Sequence, residues 1–136
     1  MTCATPWISV EPNTNPRAIL GKLPFVQGRA TFAIPASVVP DGATGILVFA
    51  WASLTGINPS FAFWHFGVSV GADAQNWFSL IIAGDPSGNS VTVNSQAFWL
   101  PFPADRTLSV TLFANDLPSA TNQGEVEIHG YRPAHA

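Results

Sequence analysis

Three consecutive runs of aromatic and β-branched residues constrain this chain more than any other feature. They occupy residues 45–54, 61–70 and 76–82, and short breaks rich in Gly, Pro, Asn and Asp separate them. Runs of this kind at this spacing are typical of neighbouring strands in an antiparallel sheet. The first two runs are apolar at odd and even positions alike, which predicts strands that are covered on both faces.

The β pattern continues on both sides of these runs. Residues 28–34, 107–115 and 124–132 alternate apolar and polar side chains, as half-buried strands do. Residues 90–102 form a longer run with the polar centre Asn-Ser-Gln at 94–96, which predicts a bend or bulge there. A weaker alternative for one segment is a helix over residues 72–82.

The sequence therefore predicts an all-β fold: a single-domain antiparallel β-sandwich, jelly-roll-like, with eight or nine strands. Residues 1–27 are rich in Pro, which predicts an arm with short edge strands at 7–10 and 18–20. Residues 28–136 are predicted to form the sandwich. The jelly-roll pattern resembles that of virus-particle subunits and trimeric lectins, a likeness of fold only.

Charge is scarce in this chain. Only 10% of its residues are charged and 47% are hydrophobic, whereas ordinary soluble domains carry about 25% charged residues. Exposed apolar surface usually marks an interface. The composition therefore predicts a homo-oligomer, a trimer or larger, that also contacts a larger protein shell. The residues predicted at its interface are Phe63, Trp64, Trp51 and Trp7.

Several partners and locations are disfavoured by the sequence. The net charge is −3 and the basic residues are scattered, which argues against nucleic acid. No apolar run approaches the roughly 20 residues of a membrane helix, and the N-terminus lacks a signal-peptide pattern. We therefore expect a virion or cytoplasmic location. The single Cys3 forms no internal disulfide, and no motif predicts a cofactor.

A sugar site is a second hypothesis. Trp rings next to amide side chains can stack on a pyranose while the amides bind its hydroxyls. Two pairs fit this pattern, Trp77 with Asn76 and Trp99 with Gln96. Packing in the core or at an interface is the alternative for each pair.

Alternating ionisable residues on the last run are weak metal candidates. Glu125, Glu127 and His129 share one face of the predicted strand, with successive members roughly 6.6 Å apart. A facing strand that added one more ligand would complete a metal site. The alternative is a solvated acidic face of an edge strand, which discourages unwanted strand pairing.

One string matches a hydrolase motif. Residues 67–71 read Gly-Val-Ser-Val-Gly, with Ser69 at the nucleophile position of G-x-S-x-G. That motif needs a helix after the serine and a parallel sheet, which this strand-rich chain does not predict. We interpret the match as coincidental.

Three functional hypotheses follow. The first is a non-enzymatic, self-associating subunit that coats, cements or decorates a larger particle, such as a phage or viral capsid or appendage. The second is a trimeric carbohydrate-binding module. The third is an enzyme, a serine hydrolase or a metal-dependent one, acting through Ser69 or the Glu125, Glu127 and His129 face.

Overall fold

The computed structural model of the chain describes residues 7–10, 19–26, 28–54, 61–70, 73–83, 91–113 and 122–134. For residues 61, 62, 70, 73–77, 82, 83, 91 and 94 the description covers the backbone alone. Within these ranges the chain forms ten strands and no helix. The strands are β1 (Ile8–Ser9), β2 (Ile19–Lys22), β3 (Gly28–Ala33), β4 (Gly45–Leu54), β5 (Phe61–Val70), β6 (Asp73–Ala83), β7 (Val91–Asn94), β8 (Phe98–Pro101), β9 (Thr107–Phe113) and β10 (Gln123–Arg132).

The strands form two antiparallel sheets. The small sheet has the order β3-β9-β5-β6. The large sheet contains the order β1-β10-β4-β7, with β2 also paired to β10 and β8 also paired to β4. Since β1 and β2 pair with different parts of β10, they lie end to end along its edge. The strands β7 and β8 share the free edge of β4 in the same way, so each sheet is four rows wide.

These findings confirm the predicted antiparallel β-sandwich. The predicted strands at 45–54 and 61–70 coincide with β4 and β5, and those at 28–34, 107–115 and 124–132 agree with β3, β9 and β10 to within two residues at either end. The helix considered for 72–82 is wrong, because β6 pairs with β5 over that segment. A shift in register between Phe66 and Gly67 leaves Trp77 as the extra residue of β6.

The core lies between the two sheets and follows the two-residue period of the strands. Its members alternate with outward residues along each strand, and the largest are Trp64, Phe66, Leu23, Ile46, Leu54, Leu100, Leu108, Leu112 and Ile128. The predicted inward positions Val126 and Ile128 of β10 are confirmed. In β4 the even positions are fully buried, and the odd positions from Leu47 to Ser53 are half-buried, so the outward face is only partly covered.

Trp64 corrects one of the predicted interface residues. Its side chain has no exposed surface in the single chain, and its indole N–H donates to the Pro24 carbonyl oxygen at 2.9 Å. A side chain that is already fully buried adds no further buried area when subunits meet. Trp64 therefore belongs to the core, and it fixes the segment after β2 against β5.

The polar centre at residues 94–96 interrupts a strand, as the sequence predicts. Along β4 the hydrogen-bonded neighbour changes from β8 to β7, and residues 95–97 connect these two strands. Ser95 bridges the gap with both of its polar groups: its N–H donates to the Ala50 carbonyl at 2.7 Å, and its Oγ accepts from the Ala50 N–H at 2.8 Å. On the side of β4 away from β10, a single serine thus satisfies the backbone at the point where neither β7 nor β8 lies beside it.

The described parts of the N-terminal arm pair with their own chain. Besides the β1 and β2 ladders, Val10 N–H donates to the His129 carbonyl and Leu23 N–H donates to the Gly124 carbonyl, both at 3.0 Å. These segments give β10 a partner on each side. The interpretation of β10 as an edge strand is therefore wrong.

The turn before β9 is fixed by Arg106, which the sequence did not single out. Its φ of +58° lies in the left-handed region. Its guanidinium donates to the carbonyl oxygens of Ile34 (3.0 Å) and Val39 (2.8 Å) and to the carboxylate of Asp41 (2.9 Å). These bonds tie the long connection between β3 and β4 to the opposite turn. In that turn, hydrogen bonds from the side chain and backbone of Thr107 hold the pKa of Asp105 below its usual value.

Candidate functional site

A groove lies at one end of the outer face of the large sheet. It has a volume of about 580 Å³. Its lining comes from the end of β2, the middle of β4 and the start of β10: Lys22, Leu23, Phe25, Trp51, Asn122, Gln123, Gly124 and Glu125. Pockets of roughly 300–1,000 Å³ are the usual size for small-molecule sites.

The register of three strands places the polar groups of this groove around one indole. Glu125 lies directly opposite Trp51 on one side and opposite Lys22 on the other. Gln123 lies opposite Ser53, two residues along from Trp51 on the same face of β4. Directly paired side chains have Cβ atoms about 4.5–5.5 Å apart. The ammonium of Lys22, the carboxylate of Glu125 and the indole of Trp51 therefore lie side by side.

Four side chains of the groove have polar groups that the rest of the described chain does not engage. Within those residues the side chains of Lys22, Trp51, Gln123 and Glu125 form no hydrogen bond, and Lys22 and Glu125 form no ion pair. Lys22 and Gln123 are exposed, and Trp51 and Glu125 are half-buried. Gly124 cannot be replaced without displacing its surroundings, because a Cβ there would lie 2.8 Å from Leu23 Cδ1 and 2.9 Å from the Trp51 carbonyl oxygen.

The predicted metal residues lie next to the groove on the same face. Glu127 Oε1 is 3.7 Å from His129 Nε2, and Glu127 is only 9% exposed. The imidazole of His129 stacks on Phe49, with ring centroids 4.8 Å apart. Over the described residues, no three His, Cys, Asp or Glu side chains are placed to hold a metal ion together. Glu127 and His129 form a covered pair against Phe49, in contrast to the solvated acidic face considered for this strand.

Trp99 and Gln96 are in the described part of the chain. Gln96 is exposed in the break between β7 and β8. The ring of Trp99 packs edge-on against Trp7 at 5.7 Å, and the guanidinium of Arg132 lies 4.2 Å above its centroid. A pyranose stacked on that face of Trp99 would have to displace Arg132. Trp7 itself is 50% exposed, at the edge of this cluster.

Two other candidates are partly outside the described atoms. The side chains of Asn76 and Trp77 are not described, so the sugar pair proposed there stays a prediction. Ser69 is half-buried in β5, and its carbonyl accepts a hydrogen bond from the Ala104 N–H at 3.0 Å. The next described element after Ser69 is strand β6, not the helix that a nucleophile elbow requires.

The outer face of the small sheet carries an aromatic patch, defined here as Phe63, His65, Ile81 and Phe113. Phe63 pairs in register with Ile81 on one neighbouring strand and with Phe113 on the other. The Phe63 and Phe113 rings stack with centroids 5.2 Å apart, and His65 meets Phe113 edge-on at 4.8 Å. Ile81 is 58% and Phe113 is 44% exposed.

The surroundings of this patch are polar but nearly uncharged. The other outward side chains described on the small sheet are Arg29, Thr31, Ala33, Ser69, Ser79, Thr107, Ser109 and Thr111, of which Arg29 alone is charged. The sequence predicts Phe63 at an interface but does not single out Ile81 and Phe113. A sequence signal for both residues exists. Each is an apolar residue at an outward position of a strand whose inward positions are also apolar.

Comparison of the sequence with protein-family models and with curated proteins finds no match. No helix in the described ranges is long and apolar enough to cross a membrane.

Proposed function

We propose that this protein is a non-enzymatic structural subunit that self-associates through the outer face of its small sheet and coats, cements or decorates a larger particle. The observation that carries the proposal is the aromatic patch. Its residues Ile81, Phe63 and Phe113 are paired in register across β6, β5 and β9, and Ile81 is 58% and Phe113 44% exposed. A flat apolar patch ringed by hydroxyls, with Arg29 at its margin, suits a second copy of the same surface.

The area of this face agrees with such a contact. Strands of six to eleven residues in four rows cover about 28 Å by about 19 Å, at roughly 3.3 Å per residue and 4.8 Å per strand. Two copies would bury roughly 1,100 Å² in total, near the lower limit of about 1,200 Å² for a standard interface. One face-to-face contact is therefore weak alone. Attachment of several copies to one particle would strengthen it.

The topology supports the same proposal at the level of fold. The chain passes between the two sheets at most of its connections, with β2, β4, β7, β8 and β10 in one sheet and β3, β5, β6 and β9 in the other. We infer that this is the jelly roll, whose two Greek keys recur in viral capsid and lectin domains. That fold serves many functions, so the patch and not the topology carries the proposal.

The test measures oligomeric state. We expect light scattering coupled to gel filtration to show a dimer or larger species of the full chain at micromolar concentration. Ile81→Lys should shift that species to the monomer, because an ammonium buried without a partner costs several kcal/mol. Val26→Lys is the matched control: Val26 is also apolar and 66% exposed, but it lies after β2 and outside the patch.

Two results would contradict the proposal. A monodisperse monomer of the unaltered chain over the whole concentration range would remove self-association. An oligomer that survives Ile81→Lys and dissociates with Val26→Lys would place the contact on a different surface.

A further inference from the structure

We propose that the groove around Trp51 on the large sheet is a binding site for an uncharged carbohydrate. The groove and the aromatic patch lie on the outer faces of different sheets, so this proposal does not depend on self-association through the patch. The site differs from the two pairs that the sequence suggested, because its parts come from residues 22–25, 51 and 122–125.

The indole of Trp51 supplies the platform. It is half-buried and lines the groove, so part of its ring faces the open volume. The face of an aromatic ring is electronegative, and the C–H bonds on one side of a pyranose are weakly positive, so the two surfaces attract each other. The backbone of β4 holds the ring between β10 and β7, which keeps its ordering cost low.

The groups beside the indole match the hydroxyls of a sugar. Each sugar hydroxyl both donates and accepts, so a site needs acceptors and donors at close range. Glu125 offers two carboxylate oxygens as acceptors, Lys22 offers three donors, and Gln123 offers both kinds. None of these three side chains is hydrogen-bonded within the described residues. Binding therefore breaks no hydrogen bond that the described residues form at these groups.

The charges of the groove select against ions. Lys22 and Glu125, the two charged residues of the lining, lie directly opposite each other and cancel. An anionic ligand would be repelled by Glu125, and a cationic ligand by Lys22. A neutral sugar forms charge-assisted hydrogen bonds with both signs without such repulsion.

The shape of the groove favours a short oligosaccharide over a compact ligand. Its volume of about 580 Å³ is partly open to solvent. The open side leaves one end of a chain of sugars in solvent, where it can continue into a longer glycan. We expect weak binding at a single site, strengthened by repetition when several copies are assembled.

The test uses the full chain on an array of uncharged oligosaccharides of glucose, galactose, mannose and N-acetylglucosamine, with sialylated and sulfated glycans alongside. An uncharged glycan that binds is then titrated, with saturation-transfer NMR as the readout. We expect Trp51→Ala and Glu125→Gln each to raise its Kd at least about tenfold, the effect of losing one ring contact or one charge-assisted hydrogen bond. Glu125→Gln keeps the side-chain shape, so its result holds even if Trp51→Ala folds poorly.

Matched controls separate the groove from the rest of the surface. Trp7→Ala removes an exposed indole outside the groove, and Asp105→Asn neutralises an exposed carboxylate in the turn before β9. Both should leave the Kd within about twofold of the unaltered chain, which is less than 0.5 kcal/mol. The proposal is overturned if no uncharged glycan binds, if binding is confined to sialylated or sulfated glycans, or if Glu125→Gln binds like the unaltered chain.

Discussion

The two outer faces of the sandwich follow the same two-residue period but present different chemistry. The face of the small sheet is flat, with stacked Phe rings and hydroxyls, and Arg29 is the one charged side chain described on it. The face of the large sheet carries Lys22, Glu125, Glu127 and Arg132, a groove, and an indole cluster at its other end.

This difference shows that a low overall charge is not spread evenly. The few charged side chains described on the strands are concentrated on the large sheet. The small sheet, with Arg29 alone among its described side chains, carries less of the desolvation cost that charges impose at an interface. Composition alone favours association, and the distribution of charge over the two faces indicates which face suits the proposed contact. One face suits a copy of itself, and the other suits a small polar ligand.

Placing the same charge on each face tests this contrast most strongly. Thr111→Lys puts an ammonium beside His65 and Arg29 on the small sheet, and Ser53→Lys puts one on the large sheet between Gln123 and Thr92. We expect Thr111→Lys to weaken self-association at least about 100-fold, since an unpaired buried charge costs several kcal/mol. Ser53→Lys should leave it unchanged. Sedimentation of both variants across a dilution series makes the measurement.

The reverse ranking would break the comparison. If Ser53→Lys dissociates the assembly and Thr111→Lys does not, the charged face is the one that meets other subunits. Both variants should retain a cooperative melt, because each adds a flexible side chain at a position that is not fully buried.

Gly130 tests how the charged face is held together, with a smaller effect. A Cβ at this position would lie 2.7 Å from Trp7 Cε3 and 2.9 Å from the Ile8 carbonyl oxygen. Gly130→Ala should therefore push β1 and the adjacent Trp7 indole away from β10 and lower the free energy of unfolding by about 1–3 kcal/mol. Urea denaturation of the variant measures the loss, and self-association should not change.

A double variant identifies the cause of that loss. Because Trp7→Ala removes the ring that Gly130→Ala displaces, the two changes together should cost less than their sum by about 0.5 kcal/mol or more. Strictly additive losses would mean that the Ile8 carbonyl alone resists the new methyl group.

Two serine hydrogen bonds, one in each sheet, allow the comparison with the smallest expected effect. Ser95 Oγ accepts from Ala50 N–H at 2.8 Å where the ladder of the large sheet is broken. Ser109 Oγ donates to the Gly67 carbonyl at 3.1 Å in the small sheet, where β5 and β9 already pair in register. We expect Ser95→Ala to cost about 1–2 kcal/mol and Ser109→Ala about 0.5 kcal/mol, because only the first leaves a backbone donor without an acceptor. Equal losses in thermal denaturation would contradict this assignment.

The strands were predictable because their period and their breaks are local properties of the chain. The bounds of β4 and β5 follow from continuous apolar runs that end at Gly, Pro and Asn, and the interruption at Ser95 follows from three polar residues inside an apolar run. The sequence did not show, however, that Trp64 lies in the core and Phe63 on the outer face. Both faces of β5 are apolar, so the period of two cannot say which face points inward.

Sheet order and the groove were not predictable for a different reason. Lys22, Trp51 and Glu125 are far apart in the chain and meet only because β2, β10 and β4 pair in one register. No local pattern encodes that pairing. The same limit explains why β10 was interpreted as an edge strand: its neighbours β1 and β2 come from the Pro-rich arm, where strand signals are weak.

The end-to-end arrangement of the short strands bears on how copies can accumulate. Each margin of the large sheet is split between two segments, none longer than four residues, and the margins of the small sheet are a six-residue strand and a strand with a bulge. Long, straight rows of free backbone amides are what nucleate fibres, and such rows are absent from the described margins. If copies assemble on a particle as proposed, these margins favour contact through the faces of the sheets over edge-to-edge pairing into filaments.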